Sequence, residues 1–219
     1  QDSRIKFTLD GHVGDVPSVA YSSDGKFLVT AGMDKTAIVW DAVTGKEKMV
    51  LHGHTQGIID IAISPDAKML ATGSEDKTVI LWDILSGKQL RTIETDDICC
   101  ISSMSFSPDG KLLATSSASY PPQIWDVNTG QLLKTLDGGL GPVSFSLTEN
   151  KLATRGEGGT TKIWNAETWE ETISIPYEAN AFAFSPDGKR IATANTDMKV
   201  WDVSTGEELV SATGFTAIV

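Results

Sequence analysis

Two carboxylates stand side by side in the stretch SEDKTVILWD, residues 74–83. Glu75 and Asp76 could act as an acid–base pair, provided that a cleft raised the pKa of one of them. The alternative is a structural aspartate in the turn before an apolar strand, because a turn aspartate accepts hydrogen bonds from nearby backbone N–H groups. Which role applies depends on how often the chain repeats this arrangement.

A second group that could do chemistry is a pair of imidazoles separated by one residue. His52 and His54 flank Gly53, and two histidines at this spacing could contribute to a metal site. The chain has only three histidines, and the third, His12, lies far away in the sequence. The pair therefore favours a structural role, and we expect neither a metal ion nor a cofactor.

The charge of the chain limits the classes of partner. Among its 219 residues, 29 are Asp or Glu and 18 are Lys or Arg, which gives a formal net charge of −11. Proteins that bind nucleic acids or anionic membranes need a basic patch, and no run of Lys or Arg occurs here. We therefore predict no nucleic acid and no membrane partner, and favour protein or peptide partners of basic character.

The two cysteines point to a reducing compartment. Cys99 and Cys100 are adjacent, and neighbours in sequence do not easily reach disulfide geometry. No apolar run approaches the ~18–20 residues that span a bilayer. A cytoplasmic location is the resulting expectation.

The stretch at 74–83 has a near twin, GMDKTAIVWD, at residues 32–41. One tryptophan position recurs at intervals of 42, 43, 39 and 37 residues, at Trp40, Trp82, Trp125, Trp164 and Trp201. Turn sequences such as Ser-Pro-Asp-Gly-Lys precede it and Thr-Gly turns follow it, and both suit tight hairpins. The short segments between the turns are rich in Val, Ile, Thr and Trp, which predicts strands. Each repeat is therefore predicted to form four antiparallel strands that must stack on neighbouring copies to bury both faces.

These motifs, namely Gly-His, Ser-Pro-Asp-Gly-Lys, Leu-Ala-Thr-Gly-Ser-x-Asp-Lys-Thr and Trp-Asp, resemble those of the WD40 repeat family of β-propellers. The resemblance covers nearly the whole chain and implies an all-β fold with about five four-stranded antiparallel blades. We predict a single domain over residues 1–219, with repeats at approximately 10–51, 52–94, 95–136, 137–175 and 176–212.

The ends of the chain do not fit a simple ring of five blades. Residues 4–9 resemble an outer strand that has no blade to complete, and residues 214–219 resemble the start of another inner strand. Three arrangements stay open: a segment of a longer, seven-bladed ring, a closed ring of five blades, or an open arc. An open arc would pair its edges with another copy of the chain, because unpaired strand edges invite association.

The resemblance also implies a hydrogen-bonded network of His, Thr, Asp and Trp within a blade. In the first two repeats the set would be His12, Thr30, Asp34 and Trp40, and then His54, Thr72, Asp76 and Trp82. Asp76 is then structural. The later repeats keep the Thr and the Trp but lack the Gly-His, and Ser119 and Gly158 replace the Asp in the third and fourth. We therefore expect the first two blades to be the more rigid ones.

WD40 proteins generally act as non-catalytic scaffolds, so the resemblance implies binding of proteins or peptides on the rim, and no enzymatic activity. The implied contact positions are Asp15, Met33, Gly57, Ile59, Glu75, Cys100, Ser102, Tyr120, Glu157, Glu178 and Asn180. Their mixture of acidic and apolar residues favours a basic peptide with an apolar anchor. The alternatives are a structural or sensor module of a longer multidomain signalling protein and, less favoured, a propeller hydrolase with carboxylates around a central channel.

Trp169 breaks the pattern of the repeats. It takes the place of the Gly in the Thr-Gly turn. It either covers an exposed turn or anchors a partner, since tryptophan is enriched in interface hot spots.

Overall fold

The computed structural model describes residues 7–95 and 100–212, and every regular element in this part of the chain is a β-strand. The described residues fall into two compact units that divide between Ile101 and Ser102. Within these residues there is no helix of the length and apolarity that a membrane crossing requires.

The first unit contains two four-stranded antiparallel sheets, each made of consecutive strands in chain order. The first sheet consists of β1 (Ser18–Tyr21), β2 (Phe27–Ala31), β3 (Thr36–Asp41) and β4 (Glu47–His52). The second sheet consists of β5 (Ile58–Ile63), β6 (Met69–Ser74), β7 (Thr78–Asp83) and β8 (Gln89–Glu94). We call the last strand of each sheet its outer strand.

The second unit contains three more sheets of the same construction. The third sheet consists of β9 (Ile101–Phe106), β10 (Leu112–Ser117), β11 (Gln123–Asp126) and β12 (Leu132–Thr135). The fourth consists of β13 (Val143–Phe145), β14 (Lys151–Gly156), β15 (Thr160–Asn165) and β16 (Glu171–Ile175). The fifth consists of β17 (Ala181–Phe184), β18 (Arg190–Ala194), β19 (Met198–Asp202) and β20 (Glu208–Ala212).

The repeated turn sequences close these hairpins with side-chain hydrogen bonds. In the first turn, the Ser22 hydroxyl donates to Asp24 at 2.7 Å and accepts the N–H of Phe27 at 2.9 Å. Ser64 and Asp66 form the same bond at 2.7 Å in the second sheet. Because the serine hydroxyl joins the aspartate side chain of the turn to the backbone of the following strand, the motif fixes where each hairpin begins.

A second local feature recurs in every sheet, directly before the repeated tryptophan. The pairing between the third and outer strands shifts register at this point in all five sheets, as a β-bulge does. Each tryptophan then lies buried, and its indole N–H donates to a threonine hydroxyl of the second strand at 2.8–2.9 Å. The pairs are Trp40–Thr30, Trp82–Thr72, Trp125–Thr115, Trp164–Thr154 and Trp201–Thr193.

In the first unit the two sheets pack face to face. One core cluster joins Val29 and Leu51 of the first sheet to Ile61, Leu70 and Trp82 of the second. We call the side of a sheet that faces the following sheet its trailing face, and the opposite side its leading face. The trailing face of the first sheet thus buries the leading face of the second.

The second unit repeats this stacking twice. The trailing face of the third sheet, with Ile124 and Leu136, packs on Phe145 of the fourth. The trailing face of the fourth sheet, with Ile163, packs on Trp201 of the fifth. Polar contacts follow the same junctions, since the Ser105 hydroxyl accepts the N–H of Phe145 at 2.9 Å.

The all-β prediction with five four-stranded antiparallel sheets is confirmed. Residues 7–10 are not part of a strand, and residues 4–6 of the predicted stray outer strand lie outside the described residues. The segment 214–219 and Cys99 also lie outside them. The limits of the domain and of its repeats stay predictions.

Candidate functional site

The first sheet contains a chain of four hydrogen-bonded side chains. Trp40 donates to Thr30, His12 Nε2 lies 2.8 Å from the Thr30 hydroxyl, and His12 Nδ1 lies 3.0 Å from Asp34. Because a carboxylate only accepts, Nδ1 of a neutral His12 carries the proton and Nε2 accepts from the threonine O–H. The hydrogen bonds thus run in one direction, from Trp40 to Asp34, and each of these four side chains has a partner.

The second sheet contains the same arrangement. Trp82 donates to Thr72 at 2.9 Å, His54 Nε2 lies 2.7 Å from the Thr72 hydroxyl, and His54 Nδ1 lies 3.0 Å from Asp76. The imidazole of His54 is buried, so its two ring nitrogens depend on these partners. The network connects the loop before the first strand to the turn before the third.

The environment of Asp34 and Asp76 keeps both carboxylates ionised. Burial raises the pKa of Asp34, but hydrogen bonds from Val13 N–H, the Thr36 hydroxyl and His12 outweigh it and lower the pKa to about 2. Burial likewise opposes ionisation of Asp76, yet the Thr78 hydroxyl, the Thr55 N–H and His54 lower its pKa. A general acid needs a raised pKa, so the lowered pKa of Asp76 argues against that role.

Glu75 does not share the environment of Asp76. Its side chain is exposed, while its backbone N–H donates to the carbonyl oxygen of Gly57 at 3.0 Å. The adjacent carboxylates at 75 and 76 therefore differ in role: one braces the interior of the sheet and the other is presented to solvent.

His52 and His54 also lie in different environments. Both ring nitrogens of His54 have partners in the network, and His52 is exposed at the end of β4. Among the described residues there is no group of three or more His, Cys, Asp or Glu side chains that could hold a metal ion.

The fourth and fifth sheets replace the His–Asp part of the network with a lysine. Lys162 lies 5.3 Å from the ring centre of Trp164 and pairs with Glu171 at 2.9 Å. Lys199 lies 5.4 Å from the ring centre of Trp201. Each lysine stands opposite the recurring threonine position, where the first sheet has Ile38. Cation–π contact thus supports the tryptophan in the fourth and fifth sheets.

Sequence reasoning missed this substitution. The sequence does contain this lysine, in Thr-Lys-Ile-Trp and Met-Lys-Val-Trp. The first two repeats have an isoleucine at the same position, two residues before the tryptophan. A lysine in a strand normally indicates a solvent-facing position, and only the structure shows that these two lie over an indole ring.

Four of the predicted partner-binding residues meet at one end of the first unit. The backbone N–H of Met33 donates to the carbonyl oxygen of Asp15 at 2.9 Å, and Glu75 is tied to Gly57 in the same way. A Cβ atom at Gly57 would lie 2.9 Å from the Met33 sulfur and 3.3 Å from a Glu75 carboxylate oxygen. We call Asp15, Met33, Gly57 and Glu75 the first-unit rim; Ile59, half-buried in β5, follows Gly57.

The other predicted partner-binding residues do not form a comparable group. Cys100 and Tyr120 are half-buried, and Ser102 and Glu157 are exposed. In the second unit, Glu178 forms an ion pair with Arg155, and the amide of Asn180 donates to Asn195 at 2.9 Å. Tyr120 N–H donates to Ser117 at 2.9 Å.

The Arg155 pairing changes the electrostatics of the second unit. The Glu178 carboxylate is compensated by a guanidinium of the same unit. A partner cation would have to compete with Arg155 there, whereas Glu75 of the first-unit rim forms no ion pair within the described residues.

Comparison with known proteins gives one family and several relatives. The family described as "WD domain, G-beta repeat" matches residues 3–41, 45–83, 87–120 and 176–202, which is more than half of the chain. The mouse F-box-like/WD repeat-containing protein TBL1X is 38% identical over 48 residues, which cover 22% of this chain and 9% of the relative.

Two further relatives come from other organisms. A chromatin assembly factor 1 subunit from Gallus gallus is 45% identical over 40 residues, or 18% of this chain and 7% of the relative. Protein TOPLESS of Arabidopsis thaliana is 42% identical over 50 residues, or 22% and 4%. The similarity spans less than a tenth of the length of each of these relatives.

Proposed function

This chain belongs to the WD40 repeat family, and we propose that it is a non-catalytic scaffold that binds a basic protein segment at the first-unit rim. WD40 repeat proteins are generally scaffolds, which supports a role in protein interaction. The geometry of Met33, Gly57 and Glu75 supports the place and the chemistry of the contact.

The first-unit rim combines a flexible apolar group with an exposed carboxylate. The thioether of Met33 and the carboxylate of Glu75 both lie over Gly57, where a Cβ atom would come within 2.9 Å of the Met33 sulfur and 3.3 Å of a Glu75 oxygen. Methionine adapts its shape to different apolar partners. A lysine or arginine with an apolar neighbour would therefore place its cation at Glu75 and its neighbour against Met33.

Backbone hydrogen bonds hold the parts of this rim in a fixed arrangement. The N–H groups of Met33 and Glu75 donate to carbonyl oxygens of the adjoining loops, and Ile58 N–H donates to Gly32 at 3.1 Å. A preformed site loses little conformational entropy on binding. The net charge of −11 favours basic partners over nucleic acid or anionic membrane.

A peptide library displayed on phage, selected against the purified chain, tests the proposal. We expect enrichment of peptides with Lys or Arg beside an apolar residue. The affinity of one selected peptide, measured by calorimetry, should fall at least about tenfold for Glu75→Lys, since a charge-assisted contact becomes a repulsion. Met33→Ala should weaken binding less, about threefold, because part of the contact area is lost.

The matched control is Glu47→Lys, which reverses an exposed carboxylate on outer strand β4. It should leave the affinity unchanged. Equal losses for Glu75→Lys and Glu47→Lys would mean that only net charge matters, and unchanged binding for Glu75→Lys, Glu157→Lys and Glu178→Lys would exclude a charged rim contact. Either result would overturn the proposal.

The second candidate function is a structural or sensor module of a longer multidomain signalling protein. The observation that favours it is the short similarity to each relative, because in those proteins the matched repeat is a small part of the chain. For either function we propose a cytoplasmic location, since the adjacent cysteines at 99 and 100 do not suit a disulfide framework.

A further inference from the structure

The first-unit rim contains a methionine at a position where two other sheets carry a carboxylate. By strand register Met33 corresponds to Glu75 of the second sheet and to Glu157 of the fourth, and both of these glutamates are exposed. Met33 itself is 38% exposed. The first sheet therefore presents a thioether to solvent where these sheets present an acidic group.

The sulfur atom of Met33 reaches the loop that enters the second sheet. A Cβ atom at Gly57 would lie 2.9 Å from the sulfur and 2.9 Å from the terminal methyl carbon of Met33, so the thioether rests directly on the glycine backbone. The same point lies 3.3 Å from a carboxylate oxygen of Glu75. Gly57 thus covers one side of the thioether, and a partner bound at the rim would meet the other side.

The five methionines of the chain differ in their access to solvent. Met33 and Met198 are 38% and 39% exposed, whereas Met104 is 6% exposed. Met49 and Met69 are half-buried. Oxidation of a thioether requires that the oxidant reach the sulfur, so Met33 and Met198 should react before the other three.

We propose that Met33 is a modification site, and that oxidation of its thioether to the sulfoxide weakens binding of the basic segment at the first-unit rim. This inference rests on the proposed function, in which the bound segment places its apolar neighbour against Met33. The change is reversible, because methionine sulfoxide reductases return a sulfoxide to the thioether. The rim then responds to oxidising conditions.

The oxidant is a peroxide, and the reaction is a transfer of one oxygen atom. A lone pair of the sulfur forms a bond to one peroxide oxygen while the O–O bond breaks. The second oxygen leaves as hydroxide and takes the proton of the first, which gives the sulfoxide and water. The sulfur is oxidised by two electrons, and the peroxide is reduced by the same two.

Sulfoxide formation changes the polarity of the contact. A thioether adapts to an apolar side chain, whereas the sulfoxide oxygen is a hydrogen-bond acceptor that loses its water when an apolar group covers it. The new oxygen also carries partial negative charge close to the Glu75 carboxylate, which disfavours the place of the thioether on Gly57. The apolar half of the contact is therefore lost, while the carboxylate that receives the cation remains.

Titration of the 219-residue chain with hydrogen peroxide tests the proposal. Peptide mapping by mass spectrometry gives the sulfoxide fraction at each methionine, and calorimetry with one phage-selected peptide gives the affinity of the same samples. The dissociation constant should rise at least about threefold as Met33 is converted, since the apolar contact area is lost. Treatment with methionine sulfoxide reductases should restore the starting value.

Two leucine variants identify the responsible sulfur. Met33→Leu keeps an apolar side chain without a sulfur, so its affinity, whatever the starting value, should not respond to peroxide. Met198→Leu is the matched control, because it removes the other exposed thioether, on β19 of the second unit. It should bind the peptide and respond to peroxide as the wild type does.

A third variant, Met33→Gln, places an amide where the sulfoxide would form and should bind the peptide about as weakly as the oxidised chain. Circular dichroism and the unfolding midpoint establish that each variant and the oxidised chain are folded.

The possible failures are distinguishable. A wild-type chain that binds the peptide and keeps its affinity after full conversion of Met33 would overturn this inference and leave the proposed function standing. The inference is also wrong if Met33→Leu responds to peroxide as the wild type does, or if the buried Met104 is oxidised before Met33. A reduced chain that binds no selected peptide would refute the proposed function, and the role of Met33 with it.

Discussion

At the scale of single residues, Asp34 and Asp76 are the most constrained charges described, because each accepts several hydrogen bonds from two loops. The Asp76 carboxylate accepts from Thr55 N–H at 2.8 Å and from the Thr78 hydroxyl at 2.6 Å, in addition to its contact with His54. Removal of the carboxylate leaves these donors without an acceptor, which costs more than an ordinary lost hydrogen bond.

Asp76→Ala should therefore lower the free energy of unfolding by about 2–3 kcal/mol, since buried donors lose their partner. The control is Asp66→Ala, which removes an exposed turn aspartate that accepts from Ser64 and Lys68. It should cost less than about 1 kcal/mol. Urea unfolding of both variants measures the difference, and equal losses would contradict a special role for the network.

The lowered pKa of Asp34, about 2 in the folded chain against 3.8 for a free aspartate, predicts a pH dependence of stability. A depressed pKa contributes stability that is complete above the unfolded value and is lost as the pH falls through the folded value. Asp34→Asn should thus reduce stability at pH 7, and the deficit should shrink as the pH falls from about 4 to about 2.

Urea midpoints at several pH values check this dependence on Asp34. Other turn aspartates with lowered pKa values, such as Asp24 and Asp187, remain in the variant, so part of the acid sensitivity persists. A deficit that stays constant over the whole range would show that the Asp34 charge is not what the variant loses.

Trp169 adopts a backbone conformation that normally belongs to glycine. Its φ angle is +58°, and its N–H donates to Asn165 at 2.8 Å, as Gly45 with φ +70° does to Asp41. Its side chain packs against the core cluster between the third and fourth sheets. Trp169→Gly and Trp169→Ala both lose the indole, but only alanine keeps the strain of positive φ.

Trp169→Ala should therefore be less stable than Trp169→Gly by about 1 kcal/mol. Urea unfolding of the two variants measures the free-energy cost of the positive φ angle, because the lost packing is nearly the same in both. If alanine were equal to glycine at this position, the turn would have relaxed to another conformation, which a crystal structure of the variant would show. The proposal of an aromatic anchor at Trp169 stays open.

At the scale of the sheets, the repeated motifs predict most of what the structure contains. The turns and the tryptophan spacing are local signals, so they place the four strands of each sheet. They do not predict that Lys162 lies 5.3 Å from the ring centre of Trp164, because a lysine in a strand is normally directed to solvent. Nor do they predict that Arg155 compensates Glu178, since Arg155 lies in β14 and Glu178 in the loop before β17.

The sheets also differ in what supports the buried tryptophan, and this predicts unequal protection from hydrogen exchange. Strands β6 and β7 are braced by the network of His54, whereas β18 and β19 rely on Lys199 and apolar packing. Local opening is easier where fewer buried hydrogen bonds connect a strand to its loops.

Amide hydrogens of β6 and β7 should thus exchange more slowly than those of β18 and β19, by roughly tenfold or more. Exchange followed by mass spectrometry on the full chain provides the measurement. Asp76→Ala should reduce the difference in exchange rate between these two sheets. Equal protection in all five sheets of the wild type would show that the network does not make the first two sheets more rigid.

At the scale of the whole molecule, the net charge of −11 acts on the proposed binding of a basic peptide. A basic peptide is attracted by this charge, so added salt screens a favourable interaction and mainly slows association.

Between about 0.05 and about 0.5 M NaCl, we therefore expect peptide affinity to fall severalfold. Calorimetry with a selected basic peptide provides the measurement. The Glu47→Lys variant, whose substitution lies away from the first-unit rim, should show the same fall. An affinity that stays constant over this range would mean that the contact is not electrostatic, and the proposed charged contact at the rim would be wrong.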